Sequence, residues 1–467
     1  MKTRYILLLK NSLLLLLLLT SSCSEFVEVD VPNDRITSAT VFNDDATARR
    51  AMDGVYGQLF NTYFAGGGDR SVTFLAGLSA DTFSLSSTTG DMIQFAEHEL
   101  DASNGFNLNL WAGAYNTIYM CNAILEGVGG ATNLSDEMLK SLEGESRFIR
   151  AFTYFYLTQL YGDVPLITQT AYAANALAAR VPSGEILMQV LEDLDIAASL
   201  LSTDYPENDR TQANASVVKA FLARVHLYMG NWEAVVAYSN AVIAEDNYAL
   251  LANLDGVFLA HSEEALWQIS PEGWGSNLTH TREGNLFVRI NAYNSPVRLS
   301  PSLMSHWEEG DRRRSQWVGT YTTETETYYY PYKYKIQYDA SGAGYPEYSM
   351  VLRLAEQYLI RAEAYAQLGD TGQALYNLNV IRERAGLNPY GEAALSWSKN
   401  TLMDAVFKER RSELFSEWGH RWFDLKRSRR VNDVYGGSAT WEATDRLYPI
   451  PEDERLKNPN LTQNPGY

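Results

Sequence analysis

A mainly α-helical fold of packed helical hairpins is predicted by three observations. Apolar residues recur at helical spacing through much of the chain. Two pairs of such segments meet at a glycine, at Gly230-Asn231 and at Gly369-Asp370. Small residues stand where paired helices approach one another. Ala362, Tyr365, Gly369 and Ala374 follow the small–aromatic–Gly–Ala order of a tetratricopeptide repeat. In the other pair, Gly230 and Trp232 precede Ala234 and Ala241 with a turn one residue shorter, and Ala151 and Tyr154 begin an earlier candidate unit. Unequal insertions separate the copies, so the scaffold is a degenerate tetratricopeptide-like array rather than a regular solenoid.

The chain opens with Lys2, Arg4 and Lys10, then an unbroken apolar run from Leu13 to Leu19, then Thr20-Ser21-Ser22-Cys23. A charged start, a short apolar core and small residues before a cut make a secretory signal over residues 1–22; the core is too short to span a bilayer. Leu19-Thr20-Ser21-Ser22-Cys23 resembles a bacterial lipobox, which would make Cys23 the lipidated first residue. Several acyl chains on one cysteine anchor durably, where one chain holds only marginally. Cys121 would then be the only free thiol, and no internal disulfide could form. Residues 23–467 are expected to make a single domain held by its apolar core.

Residues 24–35 are acidic and Pro-containing and read as a short tether. Residues 38–61 carry Ala48, Ala51, Val55 and Leu59 at helical spacing. Residues 62–106 are loop-rich, with Gly66-Gly67-Gly68 near the start. Helical patterning returns through Trp111, Tyr115, Ile118 and Ile124, and again over residues 143–161, where Gly162-Asp163-Val164-Pro165 ends it. Residues 183–201 place Ile186, Val190, Leu194 and Ala197 on one stripe, with Ser183 as N-cap. The two hairpins cover residues 216–243 and 351–385, a further charged helix runs over 401–427, and a Pro-rich strap closes the chain over 447–467.

The largest insertion, residues 255–348, is rich in Gly, Ser, Thr, Asn and aromatic residues. Within it, Tyr328-Tyr329-Tyr330-Pro331-Tyr332-Lys333-Tyr334 has five tyrosines in seven positions. On a helix they would point in every direction. The run reads either as an aromatic binding surface or as a β-hairpin with alternate rings buried.

Charge excludes some partners. The formal charge is −19, and loss of the three positive charges of residues 1–22 makes it −22. That opposes binding to nucleic acid or to an anionic membrane by bulk electrostatics. The six histidines show no metal-ligand spacing, and neither a Gly-x-Ser-x-Gly elbow nor a phosphate loop is present. No cofactor or metal is expected. A glycosidase needs two opposed carboxylates, and the sequence singles out no pair. Glu308, Glu309 and Asp311 read as a solvated acidic patch and Arg312-Arg313-Arg314 as a solvated turn. Arg353, Glu356, Arg361, Glu409 and Arg410 read as ion pairs between packed helices.

Several stretches, in order along the chain, carry a likeness. They are Met52-Asp53-Gly54-Val55-Tyr56; Glu145-Ser146-Arg147-Phe148-Ile149-Arg150-Ala151-Phe152 with Tyr161-Gly162-Asp163-Val164-Pro165-Leu166; Glu356-Gln357-Tyr358-Leu359-Ile360-Arg361-Ala362-Glu363-Ala364; Glu409-Arg410-Arg411 through Arg421-Trp422-Phe423-Asp424-Leu425-Lys426-Arg427; and Tyr448-Pro449-Ile450-Pro451 with the closing Gln463-Asn464-Pro465-Gly466-Tyr467. Together with Cys23 they make the chain resemble the SusD/RagB family, the surface-exposed outer-membrane lipoproteins of Bacteroidota. The resemblance implies a non-catalytic protein that binds a nutrient, most often an oligosaccharide. It would deliver that nutrient to a SusC-like TonB-dependent transporter. A peptide-binding member, or a scaffold whose only ligand is its transporter, are the alternatives.

A sugar site needs rings for C–H faces and amides, carboxylates or guanidinium groups for hydroxyls. The candidates in the insertion are Trp274, Asn291, Tyr293, Trp307, Trp317, Tyr321, Tyr328 and Tyr330, with Asn277, Arg289 and Asn294 nearby. The earlier loop adds Arg70, Asp81, Asn104 and Phe106, beside Asp69. Trp111, Tyr115, Tyr154 and Tyr365 have repeat-helix spacing and read as core. Replacement of Cys23 by Ala should release the protein from the membrane fraction; a C23A protein that stays tightly membrane-bound would refute lipidation.

Overall fold

The computed structural model describes residues 41–86, 90–205, 209–274 and 277–467. The expectations for the signal segment, Cys23 and the tether lie outside the described residues. Polar side chains fix where the helices begin. Helix α1 (Asp45–Asn61) starts at Asp44, whose side chain accepts from the Thr47 amide. Ser71 caps α2 (Val72–Ser79), which is followed by α3 (Gly90–Glu97). Asn104 caps α4 (Gly105–Gly130) and Ser135 caps α5 (Asp136–Tyr161). Each such cap contributes ~1 kcal/mol. Helix α5 stops at Gly162, φ 72°. Then come α6 (Ser183–Leu200), the hairpin α7 (Ala215–Met229) and α8 (Trp232–Ile243), and the hairpin α9 (Leu354–Leu368) and α10 (Thr371–Arg384). Gly230 and Gly369 cap α7 and α9 in the left-handed region at φ 76° and 85°, where a Cβ would be strained. Helices α11 (Lys399–Glu413) and α12 (His420–Arg427) complete the frame.

Consecutive helices pack as neighbours: α4 on α5, α5 on α6, α6 on α7, α7 on α8, α8 on α9, and α9 on both α10 and α11. Ala223, Leu227, Val235, Ile360 and Ala364 form the apolar seam between the two hairpins. The alanines there permit close approach of the backbones. Helix α5 lies deepest. Phe148 and Phe152 meet Trp267 edge-on at 5.0 and 5.1 Å, and Phe152 meets Trp418 at 5.1 Å. Edge-to-face pairs of this kind are worth ~1 kcal/mol beyond area burial.

Strands are short and antiparallel: β1 (Phe83–Leu85) with β5 (Val297–Leu299), β2 (Val164–Pro165) with β3 (Arg180–Val181), β4 (Ala265–Ile269) with β8 (Ser349–Arg353), and β6 (Val318–Thr322) with β7 (Thr327–Pro331). The tyrosine run is therefore a hairpin arm, with Tyr328 opposite Tyr321 and Tyr330 opposite Gly319.

Some expectations are corrected. The loop-rich residues 62–106 also hold α2, α3 and β1, which the pattern did not mark; α2 is buried all round, so no polar face marks its period. Ser183 is the first helical residue, not the cap, and its amide donates to Asp163 Oδ1 at 2.8 Å. Residues 351–353 belong to β8, and the helix starts at Leu354. The segment 401–427 breaks between α11 and α12, where Ser416, Trp418 and Gly419 all have positive φ. The closing strap includes one short helix, Glu452–Lys457.

The insertion is joined to the helices by a buried charge network. Arg353, 1% exposed, donates to Glu264 Oε1 at 3.0 Å, to Glu417 Oε2 at 2.9 Å and to the Glu413 backbone carbonyl at 2.7 Å. Arg384 donates to Glu264 Oε2 at 2.9 Å and bonds Glu413 as well. Arg313 bonds Asp311 at 2.8 Å, Glu409 at 2.7 Å and Glu413 at 2.9 Å, and Lys333 reaches Glu417. The surrounding guanidinium groups overcome burial and hold the Glu413 carboxyl well below its ordinary pKa. Arg313 and Asp311 are thus core residues and correct the expectations of a solvated turn and a solvated patch. Arg224 with Glu356 (2.8 Å) and Arg410 with Asp424 (2.8 Å) are interhelical ion pairs. Arg361 bonds the amides of Asn377 and Asn240 instead. Replacing Arg353 by Leu would leave Glu264, Glu413 and Glu417 undercompensated. The expected loss is about 3–5 kcal/mol by denaturant unfolding; a loss under ~1 kcal/mol would contradict this account.

Candidate functional site

The loop after α1 can be drawn tight only because it is glycine. A Cβ on Gly66 would stand 2.2 Å from the Phe60 carbonyl oxygen. Gly67 has φ +77°, and a Cβ there would fall 2.1 Å from the carboxyl carbon of Glu283. The loop therefore lies against both the end of α1 and the short helix Arg282–Phe287. This closeness brings together side chains distant in sequence. The Arg70 guanidinium stands 4.7 Å over the Tyr63 ring and 4.6 Å over Phe106. The Arg282 guanidinium stands 4.9 Å over Phe60 and 4.3 Å over Trp274. Partly desolvated contacts of this kind are worth ~1–2 kcal/mol each.

The Nε of Arg70 and the Nε of Arg282 are both buried without a hydrogen-bond partner. Asp69 lies 4.0 Å from Arg70. Burial holds the Arg282 pKa below its ordinary value, against the opposing charges of Glu283, Tyr63 and Asp69. Tyr63 is 46% exposed, while Phe106 and Trp274 are half-buried. The result is a surface of rings set beside guanidinium donors, the chemistry that suits an amphipathic, hydroxylated ligand.

A second group lies just beyond the same short helix. Asn294 Oδ1 accepts from the amides of Ile290 and Asn291, and Asn291 Oδ1 accepts from those of Tyr293 and Asn294. Buried Arg289 ties the loop from beneath, donating to the carbonyls of Ala292 (2.7 Å), Ser295 (2.9 Å) and Val297 (2.9 Å) and to Ser86 Oγ (2.7 Å). The loop so fixed holds Tyr293 93% exposed. Arg289 also lies 4.4 Å over Tyr328, whose cross-strand partner is Tyr321. At helical and extended rise, Arg282 and Arg289 are roughly 10–15 Å apart.

The other expected ligand residues have structural duties. Trp317 is fully buried, its indole N–H donating to the Leu254 carbonyl at 3.0 Å. Asn104 is buried and occupied as the N-cap of α4. Asp81 binds Arg411 and Arg421, each at 2.7 Å, and Ser302. Trp307 packs edge-on against Phe415 at 5.5 Å. Tyr330 is 8% exposed and covers Gly319. These five correct the expectation that they face a ligand. Sequence reasoning missed Tyr63, Phe60 and Arg282. A ring beside Gly66-Gly67-Gly68 was a legible signal for Tyr63; nothing in the pattern marked Arg282. Among the described residues, no group of three or more His, Cys, Asp or Glu side chains could hold a metal ion.

Residues 68–227 match the family profile described as "Starch-binding associating with outer membrane", and residues 312–467 match the one described as "SusD family". The chain belongs to the SusD/RagB family. A SusD-like protein of Formosa agariphila is 26% identical, over 95% of this chain and 97% of its own. A SusD-like protein of Bacteroides ovatus is 24% identical over 91% and 82%. The SusD fold is shared with solved structures. A SusD superfamily protein from Bacteroides vulgatus superposes with TM-score 0.80 at 21% identity, covering 92% of this chain and all of the other. Surface glycan-binding protein A from Bacteroides uniformis gives 0.76 at 19% identity, over 90% and 99%. Residues 228–311, which carry Trp274, Arg282 and Tyr293, lie between the two profile matches.

In this SusD/RagB protein the carboxyl beneath the glycine loop is itself unusual. Burial raises Glu283 to about 7, although Ser349 Oγ donates to it at 2.7 Å. Burial raises Glu347 to about 7 as well, against the backbone amides of Lys335 and Ile336 that it accepts. The folded chain thus keeps protons that the unfolded chain releases near pH 4.5. Stability falls as pH rises from about 4.5 to about 7 and is level above that, as far as these groups decide it. Glu283→Gln should therefore gain stability over the parent at pH 8, by up to ~3 kcal/mol, and little at pH 4.5. Melting temperatures across that range test this; a difference independent of pH would contradict it.

Proposed function

We propose that this chain is a non-catalytic, cell-surface glycan-binding lipoprotein. The observation that carries the reading is the cluster of Tyr63, Phe106 and Trp274 with the Arg70 and Arg282 guanidinium groups. Rings stack on the apolar C–H faces of a pyranose, and guanidinium N–H groups donate to its hydroxyls. Both arginines are seated on rings before any ligand arrives, so little ordering is required on binding. The description "Starch-binding associating with outer membrane" and the likeness to surface glycan-binding protein A support the same ligand class and location.

The finer parts of the reading come from the sequence. Residues 1–22 are a signal, Cys23 is the lipidated residue of a single domain, and the bound oligosaccharide passes to a SusC-like TonB-dependent transporter. Tyr293, Tyr321 and Tyr328 extend the ligand surface beyond the short helix.

Affinity gel electrophoresis and calorimetry against polysaccharides and peptides test the reading. The parent should bind a glycan. Arg70→Ala and Trp274→Ala should each weaken that binding at least tenfold, equivalent to ~1.4 kcal/mol. Clear peptide binding with no glycan bound, or both variants binding as the parent does, would overturn it.

A further inference from the structure

A cavity of about 370 Å³ opens between α4, the segment joining β2 to β3, and the C-terminal strap. Its volume falls in the ~300–1,000 Å³ range of small-molecule sites. Trp111 and Tyr115 line it, with ring centroids 4.8 Å apart. Tyr119, on α4, and Tyr172, on the segment joining β2 to β3, also line it and are 53% and 84% exposed. Asn175 adds an amide. Among the described residues, Glu454 and Lys457 are the only charged ones in the lining, and they pair with each other at 2.7 Å. In a chain of net charge −19 this groove is locally neutral.

The segment that carries Tyr172 is bound down on both flanks. The Tyr115 hydroxyl donates to the Pro165 carbonyl at 2.8 Å, and Asn122 donates to that of Ile167 at 3.0 Å. The Tyr154 hydroxyl accepts from the Ile167 amide at 2.6 Å. The Glu126 carboxylate accepts from the Thr170 amide at 2.7 Å. From the strap, Asn458 and Asn460 donate to the carbonyls of Ala178 and Leu177, both at 2.8 Å. A segment fixed this thoroughly loses its chain entropy on folding, yet it leaves a tyrosine ring in water. Its side-chain bonds therefore serve to present the ring rather than to bury it.

We propose that this groove is a second carbohydrate subsite, taking one or two neutral pyranose units between the rings of Tyr119 and Tyr172; this rests on the glycan-binding reading above. Exposed rings from two different elements offer surfaces for the apolar faces of a sugar. The internal ion pair leaves no net charge to favour an acidic or basic ligand.

Saturation-transfer NMR with maltose, cellobiose and laminaribiose tests it on four forms of the full lipid-free chain: the parent, Arg70→Ala/Trp274→Ala, Tyr119→Ala/Tyr172→Ala, and the four changes combined. Circular dichroism and the melting temperature check that each is folded; the exposure of Tyr119 and Tyr172 makes their loss tolerable. Transfer from at least one disaccharide should persist in Arg70→Ala/Trp274→Ala and fall at least fivefold in the combined form. Transfer that vanishes with Arg70→Ala/Trp274→Ala alone overturns the second subsite and leaves the glycan-binding reading standing. Transfer equal in Arg70→Ala/Trp274→Ala and the combined form also overturns it. Absence of transfer in the parent, together with no polysaccharide bound in gels, overturns both.

Discussion

The buried carboxylate of Glu413 is the contact on which the arrangement of the molecule depends. It receives Arg313 from the irregular insertion, Arg353 from β8 and Arg384 from α10. Apolar packing alone would hold the insertion against the helices without fixing its orientation, because hydrophobic contact is non-directional. Charge-assisted guanidinium–carboxylate bonds are directional. Burial also makes the charges costly to leave unpaired, so any displaced arrangement would strand several of them at once. The insertion is held in one pose by that penalty.

The candidate site inherits its geometry from this fixed pose. The short helix Arg282–Phe287 sits within the held insertion and meets the Gly66-Gly67-Gly68 loop coming from α1. Tyr63 and Arg70 come from one side of that meeting, and Arg282 and Trp274 from the other. None of these side chains hydrogen-bonds another of them in a way that would assemble the group. They are neighbours because two backbones approach more closely than any Cβ allows.

Much of the frame was legible in the sequence. Gly230 and Gly369 announced the hairpin turns because left-handed caps favour glycine, and Ala362 and Ala374, both buried, announced the close packing of α9 on α10, whereas Ala241, read the same way, is exposed. Helix α2 was not legible, since VTFLAGLS is apolar on all sides and shows no amphipathic period. The site was read less well. Arg70, Phe106 and Trp274 were chosen for their chemistry, and the structure sets them in one cluster. Trp317 and Arg313 were chosen or discarded on the same grounds and are both buried. Their partners, Leu254 and Glu413, lie 63 and 100 residues away. A contact of that separation leaves no trace in local periodicity. Asn104 was a subtler loss, since an asparagine before a helix reads equally as a ligand amide or a cap.

Glu264 and Asp311 enclose the segment that carries Trp274, Arg282, Arg289 and Tyr293. Each is one guanidinium removed from Glu413, through Arg353 or Arg384 for Glu264 and through Arg313 for Asp311. Both ends of the segment are therefore clamped at a single point in the frame. Between two ends so held, added or removed residues change the closure entropy only logarithmically. Within the segment the frame demands the pairing of β4 with β8 and of β5 with β1 and the buried rings of Trp267 and Phe287, and it leaves the exposed loops between them open to change. The segment has the architecture of an interchangeable cassette, in which ligand preference can diverge while the helical scaffold and its clamp stay unchanged.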